Sequence, residues 1–126
     1  MKIDNLLDAA RDIVHRSHSP YSGFSVAAIL EDRHGNLYGG VNVENASFGL
    51  SMCAERSAVF RAVAEGGSDF RRLLVYSPDG KPFPCGACRQ VLSEFCPGGM
   101  EVIVATGDSM ETFTLEELLP HSFNLK

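Results

Sequence analysis

Three cysteines and a glutamate stand where they can do chemistry. Cys53 and Glu55 lie in Ser51-Met52-Cys53-Ala54-Glu55-Arg56, and Cys85 and Cys88 in Phe83-Pro84-Cys85-Gly86-Ala87-Cys88-Arg89-Gln90. Three thiolates can converge on a tetrahedral Zn²⁺ and leave its fourth position open for water, whereas a structural site fills all four positions with protein ligands. An open position implies reaction at the metal. Glu55, two residues after the first thiol, can hang beside the ion without ligating it and carry protons as a general acid and base. The competing readings are a structural zinc knuckle and a redox Cys-x-x-Cys pair. A knuckle wants a fourth ligand, and none of His15, His18, His34 and His121 belongs to either motif. Cys96 completes no second site and reads as a buried, unreactive thiol.

The 126 residues fit one domain, 1–126, able to bury about two thirds of its unfolded surface around one core. Hydrophobic residues at 44% and charged residues at 21% are near the globular average, so disorder is not indicated. A net charge of -5 lacks the basic footprint of a protein that neutralises nucleic-acid phosphates. Met1 to Ser17 mixes charges into an amphipathic pattern with no continuous apolar run, unlike a signal peptide or membrane anchor, which predicts a cytoplasmic protein with no membrane partner. That reducing compartment disfavours disulfides, and the Cys-x-x-Cys spacing suits metal or redox chemistry better.

The elements that must position these residues are legible in outline. Ile3, Leu6, Leu7, Ala10, Ile13 and Val14 recur at helical spacing, with Lys2, Asp4, Asn5, Asp8, Arg11 and Asp12 on other faces. Pro20 opens an extended segment, and Val26 to Leu30 and Leu37 to Val41 flank the turn residues Arg33-His34-Gly35-Asn36 as a β-hairpin. Its small residues on both faces predict that the helices carrying the metal pack closely over it. Cys53 to Glu65 reads as an amphipathic helix stopped by Gly66-Gly67, Leu73 to Tyr76 as a central strand, and Cys85 to Phe95 as another helix. Both thiol motifs therefore fall at helix starts, where the dipole and free N–H groups favour thiolates. Val102 to Ala105 is a strand, Gly107-Asp108 a turn, Thr112-Phe113 a final strand, and Thr114 to Glu117 a capping box for a short helix that Pro120 ends. The predicted class is α/β, a mixed sheet covered by helices.

In this order the residues Tyr21-Ser22, Phe24, Asn42-Val43-Glu44-Asn45-Ala46-Ser47, Cys53-Ala54-Glu55-Arg56 and Pro84 to Gln90 resemble the small homotetrameric zinc-dependent cytidine deaminases. The resemblance runs from about Tyr21 to Phe123 and includes Leu118-Leu119-Pro120. It implies the three-layer α-β-α fold of that family with about five strands, a homotetramer and one zinc per subunit. The implied reaction is hydrolysis of cytidine or deoxycytidine to the uracil nucleoside and ammonia in pyrimidine salvage, with free cytosine nucleosides and water as partners and no nucleic acid. Carried over residue by residue, Cys53, Cys85 and Cys88 would be the ligands and Glu55 the proton relay to N3 and the departing amine. Arg56 resembles the arginine that offsets the excess thiolate charge; by residue type alone it is a solvated helix residue. Asn42 and Glu44 resemble the pair that holds the ribose hydroxyls, against a plain polar turn. Phe24 resembles the ring against the pyrimidine, against a core side chain. The Ala54 carbonyl resembles the acceptor of the exocyclic amine, and Phe123 the aromatic that reaches a neighbouring subunit's site, against a packing anchor.

Several positions depart from that pattern. Ala27 stands where the family usually has Gly, Phe48 where it has Tyr, and Phe83 where a small hydroxyl residue is common; the tail after Phe123 is short. These leave the metal motifs intact and bear on substrate preference. The same chemistry on a modified cytosine nucleoside, as in blasticidin S deaminases, is the leading alternative, and a non-catalytic zinc-binding module is another. An intact Asn42 and Glu44 pair favours a plain ribose.

Overall fold

The computed structural model describes residues 3–107, 109–123 and 125. Asp108 of the expected turn, Lys2 of the expected first helix, and Met1, Asn124 and Lys126 lie outside them. The described elements are α1 (Ile3–Ile13), β1 (Ala27–Asp32), β2 (Leu37–Val41), α2 (Ala54–Ala64), β3 (Phe70–Tyr76), α3 (Gly86–Phe95), β4 (Glu101–Thr106), β5 (Ser109–Thr114) and α4 (Leu115–Leu118), with single 3-10 turns at Val14–Arg16 and Phe48–Leu50. The strand expected at Thr112-Phe113 is longer than its short apolar core suggested, because it pairs along β4 from Ser109 to Thr114. Thr114 and Glu117 form the expected capping box.

The five strands lie in the order β2-β1-β3-β4-β5. β1 runs antiparallel to both β2 and β3, and β3 runs parallel to β4, so β2, β3 and β4 point the same way and end at one edge. Alternation along the strands divides the core in two. Ala28, Leu30, Leu73, Val75 and Val102 face α2 and α3, where Ala54, Ala58, Val59, Ala62 and Leu92 meet them. Ala27, Ile29, Leu74, Tyr76, Ile103 and Ala105 face α1, whose Leu6, Leu7 and Ala10 are buried there. With both faces covered, β1, β3 and β4 read as nearly unbroken apolar runs. The result is the expected three-layer α-β-α arrangement.

Close approach at β2 explains the small residues of the hairpin. A Cβ on Gly40 would stand 2.4 Å from Ala58 N and 2.6 Å from Ala54 O, so the backbone of α2 lies directly on this strand. Gly39, on the other face, would put a Cβ 2.8 Å from Ile13 Cδ1 of α1. Ala27 belongs to the α1 side of the core, so its methyl group is remote from the face that carries the thiols.

One charged pair is buried in this apolar sheet. Glu31 is wholly covered, and Arg72, directly across the β1–β3 ladder, donates to it through Nε at 2.7 Å and Nη2 at 3.1 Å. The Arg72 hydrogen bond holds the Glu31 carboxyl below its ordinary value of 4.5, outweighing the opposing effect of burial.

Two outcomes follow for stability. Gly40→Ala forces α2 off the sheet and lowers the unfolding free energy by about 2–3 kcal/mol in urea titrations, whereas Gly99→Ala, with open space around its Cβ, changes it by under about 1 kcal/mol. Because the folded pKa of Glu31 is depressed, its contribution is complete above pH 4.5 and is lost as pH falls through the lower folded value. Arg72→Met leaves Glu31 only the longer contact to the half-exposed Arg71, at 3.6 Å, and so costs about 2–3 kcal/mol at neutral pH, and its stability falls less steeply in acid than that of the wild type.

Candidate active site

Chain direction brings the two thiol motifs together. After β2 the chain runs through residues 42–52 and enters α2 with Cys53 as the N-cap; after β3 it runs through residues 77–84 and enters α3 with Cys85 as the N-cap. Both helices begin at the edge where the parallel strands end, the place where open α/β sheets bind ligands. The expected helix starts at Cys53 and Cys85 thus shift by one residue: each cysteine is the N-cap just outside its helix, where the dipole favours a thiolate, but the Cys53 side chain takes no capping hydrogen bond and the Cys85 side chain does. Cys85 Sγ accepts from the Cys88 backbone N–H at 3.4 Å.

The sulfurs of Cys53, Cys85 and Cys88 lie within 4.8 Å of one another, with Cys53 to Cys85 at 3.7 Å and Cys85 to Cys88 at 3.3 Å. Zn–S bonds of about 2.3 Å at tetrahedral angles put sulfurs about 3.8 Å apart, so the donor set fits zinc. Among the described residues the cluster has these three members and no fourth, which suits an open position. The thiols share protons unequally. The Cys53 thiol is lowered to about 5, chiefly by the hydrogen bond with Cys88 and further by Arg56, while the same bond with Cys53, together with burial, raises Cys88. Arg56 Nη2 lies 3.6 Å from Cys53 Sγ, and its Nε is buried without a hydrogen-bond partner. Cys96 is remote from this cluster; burial pushes its thiol up to about 12 and leaves it inert.

Glu55, on the first turn of α2, is only 4% exposed. Burial pushes its carboxyl up to about 7, with the Cys53 thiolate adding to the shift. It opens onto a cavity of about 230 Å³ lined also by Phe24, Val26, Asn42, Cys53, Ala54, Lys81, Pro82, Phe83 and Cys85. Most residues singled out in the sequence therefore meet in one space.

The others are placed differently. Glu44 lines an adjacent depression with Phe48 and Arg56, which Asn42 and Cys53 also border. Glu44 Oε1 accepts from the Tyr21 and Ser22 N–H groups at 3.0 Å each and Oε2 from Ser22 Oγ; the Ser22 hydroxyl is the largest cause of its lowered pKa. Asn42 Oδ1 accepts from Val26 N at 2.9 Å and from Ser17 Oγ, and its Nδ2 donates to Phe24 O at 2.8 Å. Both side chains thus hold the Tyr21 to Val26 segment in place and carry Phe24 with it. Phe48 is 65% exposed on its 3-10 turn. Phe123 is 68% exposed and lines neither cavity of its own chain.

Some of the site's framework went unassigned in the sequence. Lys81 and Pro82 line the cavity, and Asp79 Oδ2 accepts from Ser25 N at 2.9 Å. Arg89 donates to Pro84 O and Leu118 O at 2.7 Å each, and Gln90 pairs with the backbone of Phe123, donating to its O at 2.8 Å and accepting from its N at 3.3 Å. The available signal for the first group was the polar, Pro- and Gly-rich stretch before Cys85, a composition typical of site-forming loops.

With this geometry established, comparison with known proteins is specific. Residues 1–106 match the family model described as "Cytidine and deoxycytidylate deaminase zinc-binding region". A cytidine deaminase of Sporosarcina psychrophila is 40% identical over 127 residues, covering 98% of this chain and 93% of that protein. One from Halalkalibacterium halodurans is 44% identical over 110 residues, covering 85% and 83%. The crystal structure of cytidine deaminase from Burkholderia pseudomallei superposes with a TM-score of 0.91 at 39% identity, covering 98% of this chain and all of that one. By these matches the chain belongs to the cytidine and deoxycytidylate deaminase zinc-binding family. Its cofactor is one zinc ion.

Metal analysis checks the assignment directly. The purified protein is expected to contain one zinc per chain, and Cys53→Ser or Cys88→Ser to retain at least ~10-fold less under the same dialysis. Chelation is expected to lower the thermal midpoint of the wild type and to leave that of Cys88→Ser unmoved.

Proposed function

We propose that this chain catalyses the hydrolytic deamination of cytidine and 2'-deoxycytidine, converting the C4 amine to a carbonyl and releasing ammonia. The observation that carries this reading is the buried Glu55 carboxyl beside an open three-thiol cluster, both bordering one nucleoside-sized cavity. Cys53, Cys85 and Cys88 would hold the zinc. When bound, the ion supplies Lewis acidity that makes water nucleophilic near neutral pH.

The remaining roles belong to side chains. Glu55 takes a proton from the attacking water, delivers it to N3 of the base, and assists the amine as the C4–N bond breaks. Buried among apolar groups, it can hold the proton as well as release it. Arg56, with Nη2 against Cys53 Sγ, offsets the formal charge of -1 that three thiolates leave on the site. Phe24 packs against the pyrimidine, and the Ala54 carbonyl accepts from the exocyclic amine. Asn42 and Glu44 hold the ribose hydroxyls; the hydrogen bonds they already make fix their orientation, and the Glu44 carboxylate retains lone pairs for a diol.

The finer features are part of the same proposal. One sheet with a core on each face supports a single domain over 1–126. Exposed Phe48, Leu50 and Phe123 support assembly into a homotetramer in which Phe123 reaches a neighbouring site. Free cysteines fit a reducing cytoplasm, where the enzyme would serve pyrimidine salvage. No helix among the described residues is long and apolar enough to cross a membrane.

Glu55→Ala tests the mechanism. It keeps its zinc but loses ~10²-fold to 10⁴-fold in the rate of ammonia release from cytidine. Turnover equal to wild type would remove Glu55 from the reaction, and absence of turnover in the zinc-loaded wild type with either nucleoside would overturn the function.

A further inference from the structure

The segment from Pro78 to Pro84 runs from the end of β3 to Cys85 and supplies Lys81, Pro82 and Phe83 to the cavity. It has no regular secondary structure, so its position depends on what holds it. On one side it is tied to the Phe24 segment: Asp79 accepts from Ser25 N, and Gly80 lies so close to the Phe24 ring that a Cβ there would stand 3.2 Å from it. On the other side it meets the edge strand. Glu111 and Phe113 lie opposite Val104 and Val102 in the β4–β5 ladder, so both project from the sheet face that α2 and α3 cover. Lys81 Nζ stands 2.6 Å from Glu111 Oε1, and the Phe83 ring packs edge-on to Phe113 at 5.6 Å.

The first of these contacts joins two partly exposed side chains, Lys81 at 54% and Glu111 at 42%, through one covered oxygen. Glu111 Oε1 is shielded from solvent and accepts no well-directed hydrogen bond, so the Lys81 ammonium is the charge that compensates it. Leaving such an oxygen uncompensated is unfavourable, which ties the loop to the strand. Two consecutive inward positions of β5 thus grip two alternate residues of the cavity wall.

We infer that Glu111 and Phe113 are positioning residues of the active site: β5 latches the Pro78 to Pro84 loop through Lys81 and Phe83 and so sets the wall against which the nucleoside binds. This rests on the deaminase reading above. The wall contacts bound substrate and transition state alike, and Glu55 lies on a different element, so the latch acts on uniform binding.

The experiment is steady-state kinetics with cytidine on zinc-loaded Glu111→Gln, Lys81→Met and the double variant, with hydrogen exchange followed over residues 77–84. Glu111→Gln is expected to raise KM ~3-fold to 5-fold, the scale of a partly shielded ion pair, with kcat within ~2-fold, zinc content unchanged and faster exchange in the loop. The double variant raises KM no further than the more affected single one, since both remove one interaction. Phe113→Leu reproduces the faster exchange through the ring contact. Unchanged KM and exchange in Glu111→Gln, additive KM effects in the double variant, or a fall in kcat at constant KM would each overturn the latch. If the wild type deaminates no cytosine nucleoside, the deaminase reading fails, and the exchange comparison still decides whether the latch exists.

Discussion

Two helix N-termini must meet at one edge of the sheet, and the rest of the structure follows from that constraint. Each N-terminus carries about half a positive charge with unpaired N–H groups, so a cysteine at the N-cap is held where a thiolate is stabilised. Cys53 and Cys85 occupy those caps, and Cys88 lies within the first turn of α3. The strands decide whether the caps meet. Because β1 is antiparallel to both neighbours, β2 and β3 end on the same side, and the helices that follow them begin side by side. The separation of the two caps then depends on how closely α2 sits on β2, which the missing side chain of Gly40 permits.

Burial and charge around the cluster are arranged for opposite ends. Glu55 is on the inner face of α2, where withdrawal from water raises its carboxyl toward neutrality, while Arg56, the next residue along the helix, turns outward to the cluster's other side and meets Cys53. Adjacent residues of a helix point about 100° apart, so one turn can place a buried carboxyl and a guanidinium on different sides of the same thiol. The sequence Cys-Ala-Glu-Arg is in this sense a geometric statement as much as a chemical one.

The cavity is built from loops, yet few of its residues are free to wander. Asn42 and Glu44 hold the Phe24 segment through backbone groups; Asp79 joins that segment to the loop before Cys85; Arg89 joins the same loop to the end of α4. Polar side chains here satisfy backbone groups that no strand or helix pairs. The aromatic and the metal ligands are therefore coupled through hydrogen bonds as well as through the core.

What the sequence by itself determined is the set of local choices. The apolar stripe of α1, the small residues of β2, the capping box at Thr114 and the ligand spacing Cys-Ala-Glu and Cys-x-x-Cys each depend on neighbours within a few residues, and each is found in the structure. A metal site with two ligands at one helix start is local in the same sense, and the resemblance of its motifs to one enzyme family was legible for that reason. Tertiary structure alone decided the strand order, the depth at which Glu55 is buried, the use of Asn42 and Glu44 as supports of the Phe24 segment, and the meeting of Lys81 with Glu111. Those depend on pairs of residues far apart in the chain, whose types would suit many partners. Only the packing of the sheet and its helices selects among them.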